Sequence, residues 1–163
     1  TTSKFNCLLL SLDMVFSRTF WGTSPETMPT LSLRALRNSY KYCTVFFVLQ
    51  NVLTADLEDP VWDIIVSNPP YVCVSEQAEM RPHVLDHEPG LALFVSDSDP
   101  LQFYQKIAEI GQKSLVAKGR LYFEINAAFG PETVTLLSEM GYSNVTLKND
   151  TFGKPRMICA VKV

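Results

Sequence analysis

Short apolar runs alternate with polar connections along most of this chain. Several of the runs are rich in β-branched and aromatic residues, which is typical of buried strands. Five of them predict strands, at residues 44–49, 64–66, 120–125, 142–147 and 157–163. The third alternates less than an exposed strand would, which indicates a central position in a sheet. The last two enclose a loop containing Gly153 and Pro155, which predicts a hairpin at the close of the chain.

Two amphipathic segments predict helices between these strands. Asp99 can cap a helix that begins at Pro100, and Lys118-Gly119 is expected to end it. A second helix is expected to begin at Gly130-Pro131 and to end at Gly141. The two helices separate the predicted strands, as they do in sheets whose strands run parallel.

The first part of the chain follows no single pattern. Residues 7–12 (C-L-L-L-S-L) fit either a strand or the first turns of a buried helix. Residues 20–22 are typical of a strand end, and Ser24-Pro25 of a helix start. Residues 31–42 predict a helix with one basic face, because apolar and basic positions recur there at helical spacing.

The order of the predicted elements indicates the fold class. Alternating strands and helices predict an α/β fold, a mostly parallel sheet covered on both faces with an antiparallel C-terminal hairpin. With 163 residues, 47% of them hydrophobic, and no linker-like tract, we expect one domain over residues 1–163. Ligands of such sheets bind at the carboxyl ends of the strands, where Asn51 and Asn68 are expected.

The string N-P-P-Y ends the second predicted strand abruptly. Neither Pro69 nor Pro70 has a backbone N–H, so the strand cannot continue through them. A residue before a proline is held extended, which leaves the Asn68 side-chain carbonyl and the Pro69 backbone carbonyl as fixed acceptors. Residues 73–98, which follow, show no clear periodicity and predict a long irregular segment with at most a short helix, a candidate flap over the turn.

Two fixed acceptors suit one kind of chemistry. A planar –NH2 group has two protons that could bond both acceptors, and its delocalised lone pair makes it a poor nucleophile. Holding both protons aims the lone pair at an electrophile and favours charge building on nitrogen. Tyr71 could pack its ring on the flat group. The alternative is a rigid turn with a purely structural Asn.

Charge, cysteines and histidines count against several other roles. A net charge of −3 and the lack of a basic tract count against a nucleic-acid-binding domain. The four cysteines are far apart, which fits reduced thiols in the cytoplasm. His83 and His87 are bracketed by Pro82 and Pro89, so a metal site on a regular helix is not expected. No apolar run approaches the roughly 20 residues that span a membrane.

From Asn51 to the end, the sequence resembles the HemK/PrmC family of peptide chain release factor glutamine methyltransferases. The resemblance is carried by D-I-I-V-S-N-P-P-Y-V at residues 63–72, by Glu88-Pro89, by G-R-L-Y-F-E-I at residues 119–125 and by the late Arg156. It implies a Rossmann-like methyltransferase fold that binds S-adenosylmethionine. It also implies methyl transfer to the glutamine side chain of a release factor's Gly-Gly-Gln loop, in the cytoplasm and during translation termination.

The resemblance also implies roles for particular residues. Asn68 and Pro69 would hold the amide protons of the substrate, and Pro70 and Tyr71 would shape its slot. Asn51 falls beside the adenine of the cofactor and Val52 at the next position, with Asn68 also in contact with the cofactor. No metal is implied.

Residues 1–50 match the cofactor-binding half of the family poorly. Thr1 to Lys4 fall where the family has a glycine-rich loop, residues 7–12 fall on the helix after it, and the acidic ribose ligand expected near Thr23 is missing. The sequence fits a fragment, a degenerate homologue or an altered N-terminal segment, and it predicts weak binding of S-adenosylmethionine. Two other functions stay open, a DNA or RNA base amino-methyltransferase and a non-catalytic domain of the same fold.

Overall fold

A computed structural model describes residues 5–11, 38–40, 43–47, 51–80 and 90–163. Within these ranges the strands are β1 (Phe5–Ser11), β2 (Asn38–Tyr40), β3 (Cys43–Phe47), β4 (Trp62–Asn68), β5 (Val72–Cys73), β6 (Phe94–Val95), β7 (Leu115–Glu124), β8 (Tyr142–Asn149) and β9 (Pro155–Lys162). The helices are α1 (Gly90–Leu93), α2 (Gln102–Ser114) and α3 (Gly130–Glu139), with 3-10 turns at Val74–Glu79 and Ala127–Phe129. None of these helices is long and apolar enough to cross a membrane.

Seven of the described strands form one mixed sheet in the order β2-β3-β1-β4-β7-β9-β8. The four strands β3, β1, β4 and β7 run parallel, whereas β9 is antiparallel to both β7 and β8. This arrangement confirms the predicted α/β class and the antiparallel C-terminal hairpin. The central parallel strands have apolar runs because both faces of such a sheet are covered.

A row of apolar side chains crosses the middle of this sheet. Leu8 pairs with Ile65, Ile65 with Leu121, and Leu121 with Ala160, and each of the four has 0% of its surface exposed. One register therefore places the core residues of four strands side by side. A shift of a single residue would move them to the opposite face.

Helices α2 and α3 close the core around β7 and β8. Tyr104 of α2 meets the Phe123 ring edge-to-face, with 5.2 Å between the ring centroids. The Tyr142 hydroxyl at the start of β8 donates to the Ala108 carbonyl of α2 at 2.8 Å. Leu137 of α3 is fully buried and belongs to the core. These contacts fix α2 and α3 against the half of the sheet that contains the hairpin.

The predicted end of the first long helix is wrong. Helix α2 ends at Ser114, and Lys118 and Gly119 lie inside β7 instead. Lys118 has a φ of 65°, and the register with β4 jumps between the pairs Trp62–Leu115 and Ile64–Arg120. A left-handed residue beside a glycine is typical of a strand bulge as well as of a helix C-cap, and here it forms the irregularity in β7. The helix also starts later than predicted, at Gln102 rather than Pro100.

The N-terminal predictions are partly corrected. Residues 7–11 lie in β1, between β3 and β4, so the strand alternative is right and their placement on a helix after a cofactor loop is wrong. Asn38–Tyr40 is a strand antiparallel to β3, not part of the helix predicted over residues 31–42. A short antiparallel partner at the edge of β3 overrides the helical spacing there. The predictions at residues 1–4, 12, 20–25 and 31–37 lie outside the described residues.

The segment that follows the N-P-P-Y turn has more structure than its sequence predicts. Besides the expected short helix, α1, it contains a 3-10 turn and a two-stranded parallel pair of β5 with β6. The carboxylate of Asp97 accepts from the backbone N–H and the hydroxyl of Ser75, at 3.1 and 2.6 Å. The two ends of the segment are therefore joined at its base. His83, His87 and Glu88-Pro89 lie outside the described residues, so the flap and metal predictions stay predictions.

Candidate active site

The N-P-P-Y turn lies at the carboxyl edge of the parallel strands. Asn68 is the last residue of β4, and its partner in the register is Ser11, the last residue of β1. On the other side, Ser67 pairs with Phe123 one residue before β7 ends. The ends of three parallel strands therefore meet around Asn68, which is where ligands of such sheets bind.

The N-P-P-Y turn begins with an exposed residue, and two buried residues follow it. Asn68 is exposed, whereas Pro69 and Pro70 are buried. Among the described residues, no side-chain hydrogen bond engages the Asn68 amide. The two prolines fix their own φ angles and restrict the residues before them, so Asn68 projects from a turn with few alternative conformations.

Tyr71 is anchored through its hydroxyl. This group donates to Glu124 Oε1, at the end of β7, at 3.1 Å. Burial, and then the negative charge and hydrogen bond of Glu124, raise the pKa of Tyr71 to about 12, although nearby Arg156 acts in the opposite direction. The phenol therefore stays protonated in the physiological range. Tyr71 acts at this position as a hydrogen-bond donor and a half-buried aromatic ring, not as a base.

Asn126 binds the turn from the other side. Its Nδ2 donates to the Tyr71 carbonyl and to Glu76 Oε2, both at 3.0 Å, while its Oδ1 accepts from the Ala128 N–H at 3.0 Å. The last of these bonds caps the Ala127–Phe129 turn that leads into α3. Asn126, Glu76 and Glu124 were not among the site residues predicted from the sequence. The position of Asn126 between a strand and a helix start could have indicated a cap. Its bond to Tyr71 has no local signal, because the two residues are 55 positions apart.

Asn51 and Val52 lie in the connection after β3, and β1 separates β3 from β4. Asn51 is exposed, and its Oδ1 accepts from the Leu53 N–H at 3.0 Å in a local turn. Val52 is 5% exposed and packs in the core with Ala55. Asn51 and Asn68 thus offer polar groups that fit a cofactor, whereas Val52 has little surface to offer an adenine ring. The predicted cofactor contacts of these residues stay predictions, and the loop predicted at residues 1–4 lies outside the described residues.

Comparison with curated proteins finds several release factor glutamine methyltransferases that are similar to this chain. No family model matches the chain. A release factor glutamine methyltransferase of Bacteroides thetaiotaomicron is 42% identical over 158 residues, which cover 94% of this chain and 56% of the relative. That of Flavobacterium psychrophilum is 48% identical over 135 residues, or 83% of this chain and 46% of the relative. The chain spans about half the length of these curated relatives. The first alignment also extends well into residues 1–50.

A solved structure supports the fold independently of the sequence. A protein from Listeria monocytogenes, described as an S-adenosylmethionine dependent methyltransferase, superposes with a TM-score of 0.50 over 99% of this chain and 92% of its own, at 9% sequence identity. At that identity the match concerns the fold alone. The Rossmann-like methyltransferase fold and the resemblance drawn from the motifs are both confirmed, and the chain is a homologue, over most of its length, of the release factor glutamine methyltransferases.

Proposed function

We propose that this chain carries the catalytic part of an S-adenosylmethionine-dependent protein-glutamine N-methyltransferase. The observation that carries the proposal is the exposed Asn68 at the carboxyl edge of the parallel strands, on a turn made rigid by two buried prolines. The names of the relatives, release factor glutamine methyltransferases, support the choice of a glutamine as the acceptor. The proposed product is a glutamine methylated on its side-chain amide nitrogen.

The chain's own residues act on the acceptor amide. In the proposed reaction, the Asn68 side-chain carbonyl and the Pro69 backbone carbonyl accept the two amide protons. This holds the –NH2 group in one orientation and stabilises the positive charge that develops on nitrogen. The Tyr71 ring forms one wall of the slot for the planar amide. Both effects require a turn whose position does not fluctuate, which the buried prolines and the anchored Tyr71 supply.

The bond changes balance without a strong base. S-adenosylmethionine, when bound, supplies a methyl group on a positively charged sulfur. Transfer would form the N–C bond as the C–S bond breaks and would leave a neutral thioether. The amide nitrogen then loses one of its two protons to water, because the methylated nitrogen is strongly acidic until it does. Asn51 and Asn68 are the described residues proposed to contact the cofactor.

The proposed substrate is the Gly-Gly-Gln loop of a peptide chain release factor, and the proposed setting is translation termination in the cytoplasm. A short loop with two glycines can enter a narrow slot, because glycine adds no side chain beside the glutamine. The net charge of −3 favours a protein acceptor over a nucleic acid, whose binding domains are usually basic. A base in DNA or RNA is the alternative acceptor.

The experiment compares three acceptors under one condition. With radiolabelled S-adenosylmethionine in large excess, the chain is incubated with a release factor fragment, with the same fragment carrying Ala in place of the loop glutamine, and with single-stranded DNA. We expect label in the first fragment only. Label in DNA would replace the proposal with the base-modifying alternative. No label in any acceptor, together with measurable cofactor binding, would favour a non-catalytic domain.

A further inference from the structure

We propose that Asn126 is a positioning residue that holds the Asn68–Tyr71 turn in its reactive geometry, together with Glu76. The hydrogen bonds that these two side chains make to Tyr71, to Cys73 and to each other are called the clamp. The inference rests on the proposed function and adds to it two residues outside the N-P-P-Y string. It also links the turn to the segment that follows it, because Glu76 belongs to the 3-10 turn Val74–Glu79 at the start of that segment.

Both Nδ2 protons and the Oδ1 atom of Asn126 are hydrogen-bonded, and these partners fit only one orientation of the amide. Its two Nδ2 protons go to two acceptors, the Tyr71 carbonyl and Glu76 Oε2, at 3.0 Å each. Its Oδ1 accepts from the Ala128 N–H at 3.0 Å. A flipped amide would place the oxygen against two acceptors and the –NH2 group against a donor. The partners therefore determine the orientation of the group, which is what a positioning residue requires.

Glu76 extends the clamp along the chain. The same Oε2 atom that accepts from Asn126 also accepts from the Cys73 N–H at 2.8 Å. One carboxylate oxygen thus joins the backbone two residues beyond Tyr71 to the side chain that binds the Tyr71 carbonyl. Bonds to a charged acceptor are stronger than neutral ones, so the exit of the turn is held by a charge-assisted pair.

Tyr71 has two anchors, one at the end of β7 and one just after that strand. Glu124 accepts from the Tyr71 hydroxyl, and Asn126, two residues later, donates to the Tyr71 carbonyl. Pro69 and Pro70 cannot donate hydrogen bonds to a neighbouring strand, so side-chain contacts must replace the missing backbone ones. The proposed acceptors at Asn68 and Pro69 lie only two or three residues before this anchor. A displacement of about 1 Å at a reacting group can cost about 100-fold in rate.

The decisive variant is Asn126→Asp, which keeps the size of the side chain and the acceptor for Ala128. It replaces the –NH2 group by an oxygen that faces the Tyr71 carbonyl and Glu76. Other titratable or charged groups near this cluster are Tyr71, Cys73, Asp97, Tyr104, Glu124 and Arg156. Beside Glu76, the new carboxyl would share a proton, because two adjacent carboxylates resist double ionisation. Its protonated form donates again, as the amide does.

We therefore expect a pH-dependent defect. At pH 8, Asn126→Asp should lower kcat by at least about 10-fold, with the KM for S-adenosylmethionine changed little. Lowering the pH to 6 should recover part of this loss relative to the unaltered chain measured at the same pH. Glu76→Gln keeps an acceptor for both donors and should lower kcat by less than about threefold, whereas Glu76→Ala should behave like Asn126→Asp at pH 8. Asn149→Asp, on the exposed outer strand β8, is the matched control for the new charge.

Hydrogen exchange tests the clamp without requiring that the chain transfer a methyl group. In Glu76→Ala and Asn126→Asp, exchange at the Cys73 N–H should be faster than in the unaltered chain, while exchange in α2 should stay the same. If the unaltered chain methylates no acceptor, the proposed function fails and the exchange data still test the clamp. Unchanged kcat and unchanged Cys73 exchange in Asn126→Asp would overturn the clamp. A loss of kcat that does not recover at pH 6, with faster exchange throughout the chain, would also overturn it and leave Asn126 a purely structural residue.

Discussion

A single exposed amide carries most of the chemistry proposed for this protein. Asn68 projects from the end of β4, and the residues on its C-terminal side are buried or anchored. The sequence predicted this because two consecutive prolines after an apolar strand leave few conformations. It could not predict Asn126 as an anchor, because a hydrogen bond across 55 positions has no local signal. Local stiffness can be read from a sequence, whereas long-range support depends on the fold.

Replacing Asn68 tests its role directly. Asn68→Ala should lower kcat by about 100-fold or more, the scale of losing one preorganised hydrogen-bonding group, with little change in thermal stability because the side chain is exposed. Asn149→Ala, another exposed Asn, is the control and should leave kcat unchanged. The measurement is single-turnover methyl transfer with cofactor in excess. Undiminished turnover in Asn68→Ala would make this residue structural.

The Tyr71–Glu124 bond predicts a pH dependence of stability. The pKa of Tyr71 rises from 10.0 to about 12 in the folded state, so between these values the unfolded state loses the proton first. The contribution of this group is complete below pH 10 and is lost as the pH rises toward 12. The free energy of unfolding should therefore fall less steeply from pH 9 to pH 11 in Tyr71→Phe than in the unaltered chain.

Urea unfolding at the two pH values measures this difference. Only the difference between Tyr71→Phe and the unaltered chain reports on Tyr71. Burial also raises the pKa of Tyr104 and of Tyr142, and these two groups change the free energy of unfolding with pH equally in both chains. Equal slopes for the two chains would show that Tyr71 titrates as it does in the unfolded state.

At the scale of elements, the contact between α2 and the start of β8 is unusually close. A Cβ atom built at Gly111 of α2 collides with the Tyr142 hydroxyl, which donates to the Ala108 carbonyl one turn earlier. This glycine therefore lies inside a helix because the approach of Tyr142 requires it. The sequence predicted the helix and the strand but not this contact, because a glycine within a helical pattern does not indicate which side chain packs against it.

A double-mutant cycle tests the contact. Gly111→Ala should lower the free energy of unfolding by at least about 1 kcal/mol, since the overpacking exceeds the gain in helix propensity. Tyr142→Phe alone should cost about 0.5–1.5 kcal/mol through its lost hydrogen bond. In the double variant, Gly111→Ala should become neutral or stabilising, because the colliding hydroxyl is gone. Additive effects in urea unfolding would refute the close approach.

Two segments show that one local sequence pattern can fit two different structures. Lys118-Gly119 carries the signature of a helix end, yet it forms a bulge in β7, where a Cβ at Gly119 would lie 2.8 Å from the Val116 carbonyl. Left-handed backbone has the same sequence signature in both settings. The run at residues 7–11 fits strand and helix equally, and only its parallel neighbours β3 and β4 select the strand.

At the scale of the whole molecule, the order of elements from residue 44 was enough to predict the fold class. Helices between strands favour parallel pairing, and a short loop at the end favours an antiparallel hairpin, as β8 and β9 form. The position of β1 in the centre of the sheet could not be predicted, because it joins strands distant in the chain. The homologues establish kinship across most of this chain, which spans about half of their length.

In the proposed reaction, the amide nitrogen of a glutamine receives the methyl group. Tandem mass spectrometry of a release factor fragment, after incubation with this chain and excess S-adenosylmethionine, locates the added group. We expect one added methyl group on the side chain of the Gly-Gly-Gln glutamine, and much less methylation when Asn68→Ala replaces the unaltered chain. A methyl group located on any other residue, or equal methylation by Asn68→Ala, would contradict the proposed reaction.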